Sequence, residues 1–95
     1  MVFDVSKISG IGDFTTKKEE NRELYLKGDR VFLVKNTNTI EIRCDDKLNN
    51  LLKEKYESVM ESRYFGRGGL EIVLANQLSP TEIEDLIRLS YNLTD

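Results

Sequence analysis

The 95-residue chain contains no histidine and no tryptophan, and it has one cysteine and one proline. Without histidine there is no side chain with an unperturbed pKa near about 6.5, and so no imidazole base, proton shuttle or metal ligand. Serine and cysteine triads that use histidine are excluded. A structural zinc site takes about four nitrogen or sulfur ligands, and one thiol cannot supply it. Nor can the lone Cys44 close an internal disulfide, so the fold depends on its core, which at this length buries about two-thirds of the unfolded surface. No run approaches the roughly 18 apolar residues of a membrane span, and the N-terminus lacks the charged start, apolar run and cleavage site of a signal peptide. These absences lead us to expect one soluble cytoplasmic domain over residues 1–95, with no membrane, metal or cofactor.

What the chain does have is charge. Seventeen acidic residues against 14 basic ones leave a net charge of −3. Nucleic-acid-binding domains usually show a basic excess or a concentrated basic face. The negative total weighs against that class, although a local basic patch can hide inside it. Carboxylate acid-base chemistry stays formally open, but most of the acids fall at helix starts and on solvated helix faces. We therefore expect no enzyme.

Residues 1–23 carry weak signals and are expected to be irregular or to hold short elements. Val2, Phe3 and Val5 hint at a short strand, and Gly10 and Gly12 interrupt any longer period. The run Thr15 to Glu23 has no aliphatic residue and reads as a solvated loop or an exposed edge. From Leu24 the pattern sharpens. Leu24 and Leu26 alternate with Tyr25, Gly28-Asp29 suits a tight turn, and Val31 to Val34 form a nearly continuous apolar run. After Asn36-Thr37-Asn38-Thr39, the residues Ile40, Ile42 and Cys44 share one face, with Glu41 and Arg43 on the other. A three-stranded antiparallel meander follows.

Asp45 and Asp46 offer an N-cap, and Leu48, Leu51, Leu52, Tyr56, Val59 and Met60 recur at helical spacing, opposite Asn49, Asn50, Lys53, Glu54 and Glu57. The spacing predicts a helix of about 14 to 16 residues. Gly66 to Gly69 reads as a turn into a strand built on Leu70, Ile72 and Leu74. Ser79, Pro80, Thr81 and Glu82 match a capping box with proline at the first helical position. Ile83, Leu86, Ile87 and Tyr91 form the buried stripe of the last helix, and Glu84 and Arg88 are ordered for an (i, i+4) ion pair. The fold class is therefore α+β, two layers, with a largely antiparallel sheet covered by helices.

The most unusual stretch is Arg63-Tyr64-Phe65-Gly66-Arg67-Gly68-Gly69. Guanidinium forks match phosphate geometry, aromatic rings stack on bases, and glycines let a ligand approach the backbone. Arg63, Tyr64, Phe65, Arg67 and Gly68 are thus the candidate ligand-binding residues. The plainer reading is a tight connection in which the rings cap the core and the arginines are solvated. The glycines precede a strand, so a dinucleotide fingerprint fails. Lys27 to Phe32 lacks the aromatics of an RNA-recognition signature. Cys44, beside Asp45, reads as a small buried hydrophobe. Asn92-Leu93-Thr94 matches a glycosylation pattern without a secretion signal.

Residues 24–95 resemble the MmcQ/YjbR-like proteins. The resemblance rests on Gly28 to Phe32 as a turn and strand, on Ile40 to Leu52 as a strand entering an acidic helix start, on the glycine-flanked strand Gly68 to Leu74, on Leu78 to Glu82 as a helix start, and on the close Ser90 to Leu93. It implies a secretion-chaperone-like α+β fold and, from the label its members carry, DNA binding. The chain departs from the family where Ser9 to Asp13 replaces an opening helix, where Leu70 stands for a tryptophan, and where the loop histidine is absent. Two functions are expected to compete: a nucleic-acid or anion-binding module, or a protein-interaction module without nucleic-acid binding. Clustering of Arg63, Arg67, Arg30 and Lys53 on one face favours the first, and scattering favours the second.

Overall fold

The computed structural model describes residues 4–94. A six-stranded antiparallel sheet carries two helices on one face, the two-layer α+β arrangement expected. After a single 3-10 turn at Val5–Lys7 come β1 (Thr15–Glu19), β2 (Arg22–Lys27), β3 (Arg30–Lys35), β4 (Thr39–Arg43), α1 (Asp46–Lys55), β5 (Val59–Ser62), β6 (Gly66–Val73) and α2 (Pro80–Leu93). The sheet order is β1-β2-β3-β4-β6-β5. Strands β2, β3 and β4 form the expected meander, with Gly28 at φ +64° in the two-residue turn. α2 lies over β3 and β4, and α1 over β5 and β6.

The apolar run of β3 is continuous because the strand is buried on both faces. Leu24 pairs with Val34, Tyr25 with Leu33 and Leu26 with Val31, so Phe32 is the extra residue of a β-bulge. Alternation is broken there, and both Phe32 and Leu33 enter the main core with Ile40, Ile42, Leu70, Ile72, Ile83 and Ile87. Val31 and Val34 point the other way, into a small second cluster with Leu24, Leu26 and Phe65. The bulge also ends the direct β3–β4 pairing at Leu33 and Ile42. Ser90, fully buried on α2, fills the gap: its hydroxyl accepts from the Arg43 amide (2.8 Å) and donates to the Phe32 carbonyl.

Several local expectations are corrected. The first helix stops at Lys55 rather than continuing through Met60, because Tyr56 is extended (φ −125°) and the side-chain Oε1 of Gln77 accepts from the Ser58 amide and hydroxyl. Val59 and Met60 instead form an edge strand on β6. Leu51 is 55% exposed, whereas Asn49, expected on the solvated side, is 3% exposed and donates to the Gly69 carbonyl (3.0 Å). Gly66 to Gly69 belong to β6 rather than to a turn before it. Thr15 to Glu19 is the exposed-edge alternative realised, a strand carrying Lys17 and Lys18 along its rim. Val5 lies in the 3-10 turn, and Val2 and Phe3 fall outside the described residues.

The last helix is as expected, with the reciprocal Ser79–Glu82 capping box. Arg88, however, pairs with Asp85 (2.7 Å) and donates to the Ser9 carbonyl, not to Glu84. The Tyr91 hydroxyl reaches the Asp13 carbonyl (2.9 Å), so α2 holds the N-terminal segment in place while Val5 and Ile8 fill the core. Among the described residues no helix is long and apolar enough to cross a membrane, and no group of three metal-ligating side chains occurs.

Two substitutions test this account by urea denaturation. Ser90→Ala strands the Phe32 carbonyl and the Arg43 amide in the interior and is expected to cost about 2–3 kcal/mol. Gly69→Ala places a methyl 2.7 Å from the Phe65 Cβ and closer still to the Ile42 carbonyl oxygen, with an expected cost of about 1–3 kcal/mol.

Candidate functional site

The face of the sheet away from the helices is partly covered by the chain itself. The connection from β5 to β6 folds over it, and the sequence explains how. Phe65 is apolar enough to seal the second cluster, and Gly69 leaves room for its ring against β6. The Tyr64 and Phe65 rings meet edge to face at 4.9 Å. Arg43 lies over Phe65 at 4.9 Å and Arg22 over Tyr64 at 5.1 Å, so cations flank both rings.

Beneath this connection Glu41 and Glu71 face each other across β4 and β6, and they are 2% and 3% exposed. Two carboxylates in this position would repel without donors. Glu41 accepts from the Ser62 hydroxyl (2.8 Å), the Tyr64 amide (2.8 Å) and the Asn36 amide group (2.9 Å). Glu71 takes both arms of Arg63, Nε at 2.9 Å and Nη2 at 2.7 Å, and the Thr39 hydroxyl at 2.8 Å. Arg63 foremost, then Thr39, holds the Glu71 carboxyl below the usual carboxylate range, against the opposing effect of burial. Every buried side-chain polar atom of the described residues is partnered. The network therefore anchors the 62–66 connection.

Beside it runs an open groove of about 820 Å³. Its walls are the β1–β2 turn with Asn21 and Arg22, the β3–β4 turn with Asn36, Thr37 and Asn38, and the connection with Arg63 and Tyr64. Arg22 is held by Glu19 (2.6 Å), as Arg63 is by Glu71, so both guanidiniums of the groove are already matched. What it offers a ligand is amides, hydroxyls, the exposed Glu20 carboxylate and the exposed Tyr64 ring.

The sequence-derived candidates are only partly brought together. Arg63 and Tyr64 line the groove, with the Arg63 side chain 76% exposed although bound to Glu71. Phe65 is packed in the second cluster, and Gly68 exchanges backbone hydrogen bonds with Phe65 and Cys44. Arg67 lies in a separate cleft of about 310 Å³ with Asp46, Asn49, Asn50, Lys53 and Glu61. Sequence reasoning missed Asn21, Arg22, Asn36 and Asn38. The turn signal at Asn36 to Thr39 was visible, but its approach to Tyr64 is made only by the sheet. Cys44 is buried, and desolvation, aided by Asp45, pushes its thiol up to about 11.

No family model, curated protein or solved structure matches the chain.

Acid should weaken the latch with a defined sign. The folded Glu71 pKa lies below the unfolded value of about 4.3, so the pair's contribution is complete above that value and is lost as pH falls through the folded pKa. Arg63→Ala is expected to raise the Glu71 pKa in a carboxyl-carbon NMR titration, to lower stability at neutral pH, and to flatten its dependence on pH in that acid window.

Proposed function

We propose that this chain is a non-catalytic, cytoplasmic protein-interaction module that seats a polar segment of a partner polypeptide in the groove beside Tyr64. The observation that carries the reading is that both arginines of the groove are already matched. Arg22 and Arg63 already hold carboxylates, while Glu19, Glu20 and Glu41 share the same walls. A phosphate backbone would meet those acids, whereas a polypeptide segment brings the amide donors and acceptors that asparagine and threonine side chains satisfy. Tyr64 adds a rigid ring with a polar tip, a side-chain type enriched at interface anchors.

Charge placement supports the same choice over nucleic acid. Arg63 is on the groove face, Arg67 and Lys53 line the other cleft with Asp46 and Glu61, and Arg30 begins β3 beside the Gly28-Asp29 turn. Four cations so dispersed do not make the track of phosphate contacts on which nucleic-acid affinity depends. We also propose that residues 24–95 are an MmcQ/YjbR-like domain, on the motifs quoted from the sequence. The binding role does not depend on that membership.

A photo-crosslinking residue placed at Asn38 is expected to give a discrete protein adduct in cells, lost in Tyr64→Ala and absent when the probe stands at Lys47. Fluorescence anisotropy with single- and double-stranded oligonucleotides is expected to stay flat at low salt. Salt-sensitive binding that Arg63→Gln and Arg67→Gln weaken would overturn the proposal in favour of nucleic acid, and the lack of any adduct from position 38 would remove the groove.

A further inference from the structure

The smaller cleft, of about 310 Å³, opens where α1 crosses the irregular end of the β5–β6 pairing, at Glu61 and Ser62. Asp46, Asn49, Asn50 and Lys53 recur at i, i+3, i+4 and i+7, so one stripe of α1 forms a wall. Glu61 of β5 and Arg67 of β6 complete it. Glu61 stands opposite Leu70, a core residue, and so shares the sheet face that α1 covers. The cleft has a polar floor. Asn49 is 3% exposed, and its Nδ2 donates to the Gly69 carbonyl (3.0 Å). A carbonyl accepts only from a donor, so this bond fixes the amide with its nitrogen on β6 and its Oδ1 turned away. Oδ1 accepts from none of the described residues, yet no fully buried side-chain oxygen among them lacks a partner. Oδ1 therefore reaches the surface of the cleft that Asn49 lines, a hydrogen-bond acceptor held in position by a buried side chain.

The charges around it are unmatched. Among the described residues the ion pairs are Arg22–Glu19, Arg63–Glu71 and Arg88–Asp85, and none joins the two acids of this cleft to its two bases. Asp46, Glu61 and Arg67 are exposed and Lys53 is half-buried. A ligand of one sign meets two of these groups and is repelled by the other two. A ligand carrying both signs is attracted by all four.

We propose that this cleft binds a small zwitterion of the α-amino-acid class, at a site separate from the groove beside Tyr64. The ligand's ammonium brings three donors, which Asn49 Oδ1 and the Asp46 and Glu61 carboxylates accept. Its carboxylate takes the Lys53 ammonium and the Arg67 fork. The size of the cleft restricts the ligand to one small molecule, since small-molecule sites begin at about 300 Å³.

The test is titration with L-alanine, followed by the backbone amide resonances and the Asn49 side-chain amide, beside ethylammonium chloride and sodium acetate as half-ligands. Saturable shifts at the Asn49 side chain and along residues 46–53 are expected with alanine. Each half-ligand lacks one charged group and is expected to bind about tenfold more weakly. Glu61→Gln and Arg67→Gln alter exposed side chains outside the core, and each is expected to weaken alanine binding about three- to tenfold. Lys17→Gln, on the far edge strand β1, should leave it unchanged. Shifts that fail to saturate, or undiminished alanine binding by both Glu61→Gln and Arg67→Gln, would overturn the site. Ethylammonium or acetate binding as tightly as alanine would overturn the zwitterion class.

Discussion

The hydroxyl of Ser90 is the point on which this fold turns. The bulge at Phe32 lets one strand deliver two consecutive large side chains to the same core, but it breaks the ladder to β4 one position too early. A small hydroxyl from the covering helix accepts from one strand and donates to the other, so the helix becomes part of the sheet's hydrogen bonding. The docking position of α2 is thereby set to within a hydrogen-bond length, and the contacts that α2 makes with the N-terminal segment through Arg88 and Tyr91 inherit that position. The same bond fixes the backbone of Arg43, so the core constraint reaches the open face.

The two faces of the sheet are closed by different means. On one, helices bury aliphatic side chains in the ordinary way. On the other, a short connection seals a small apolar cluster with Phe65 and is tied down by two buried glutamates. Buried carboxylates are tolerated only when their oxygens are filled by donors, and here six donated hydrogen bonds fill them. Such a network favours one conformation of the connection over its alternatives, since any other would leave charge desolvated and unpaired. The shape of the groove follows from it.

Much of the fold was legible in the sequence because its signals are local. The Gly28-Asp29 turn, the meander, the N-cap at Asp45 and the capping box at Ser79 each depend on residues within a few positions. The failures came where distant partners decide. Val59 and Met60 keep helical spacing after Leu52, yet pairing with β6 and the Gln77 contact to Ser58 draw them into a strand. Thr15 to Glu19 has no aliphatic residue because an edge strand with both faces exposed needs none. Alternation placed Glu41 on the face opposite Ile40 and Ile42, but only the return of Ser62 and Tyr64 over the sheet buries it. Arg63 and Tyr64 were legible as unusual, but not that Arg63 is matched to Glu71 or that two asparagine-bearing turns complete the groove.

Cys44 has a practical consequence of its own. With its thiol raised to about 11, only about one molecule in ten thousand carries the thiolate at pH 7, and the sulfur lies inside the core. Alkylating reagents and spin labels that attack thiolates will therefore pass it by in the folded protein. The native chain is in effect a cysteine-free background for site-directed labelling, and its one sulfur becomes reactive only when the core opens.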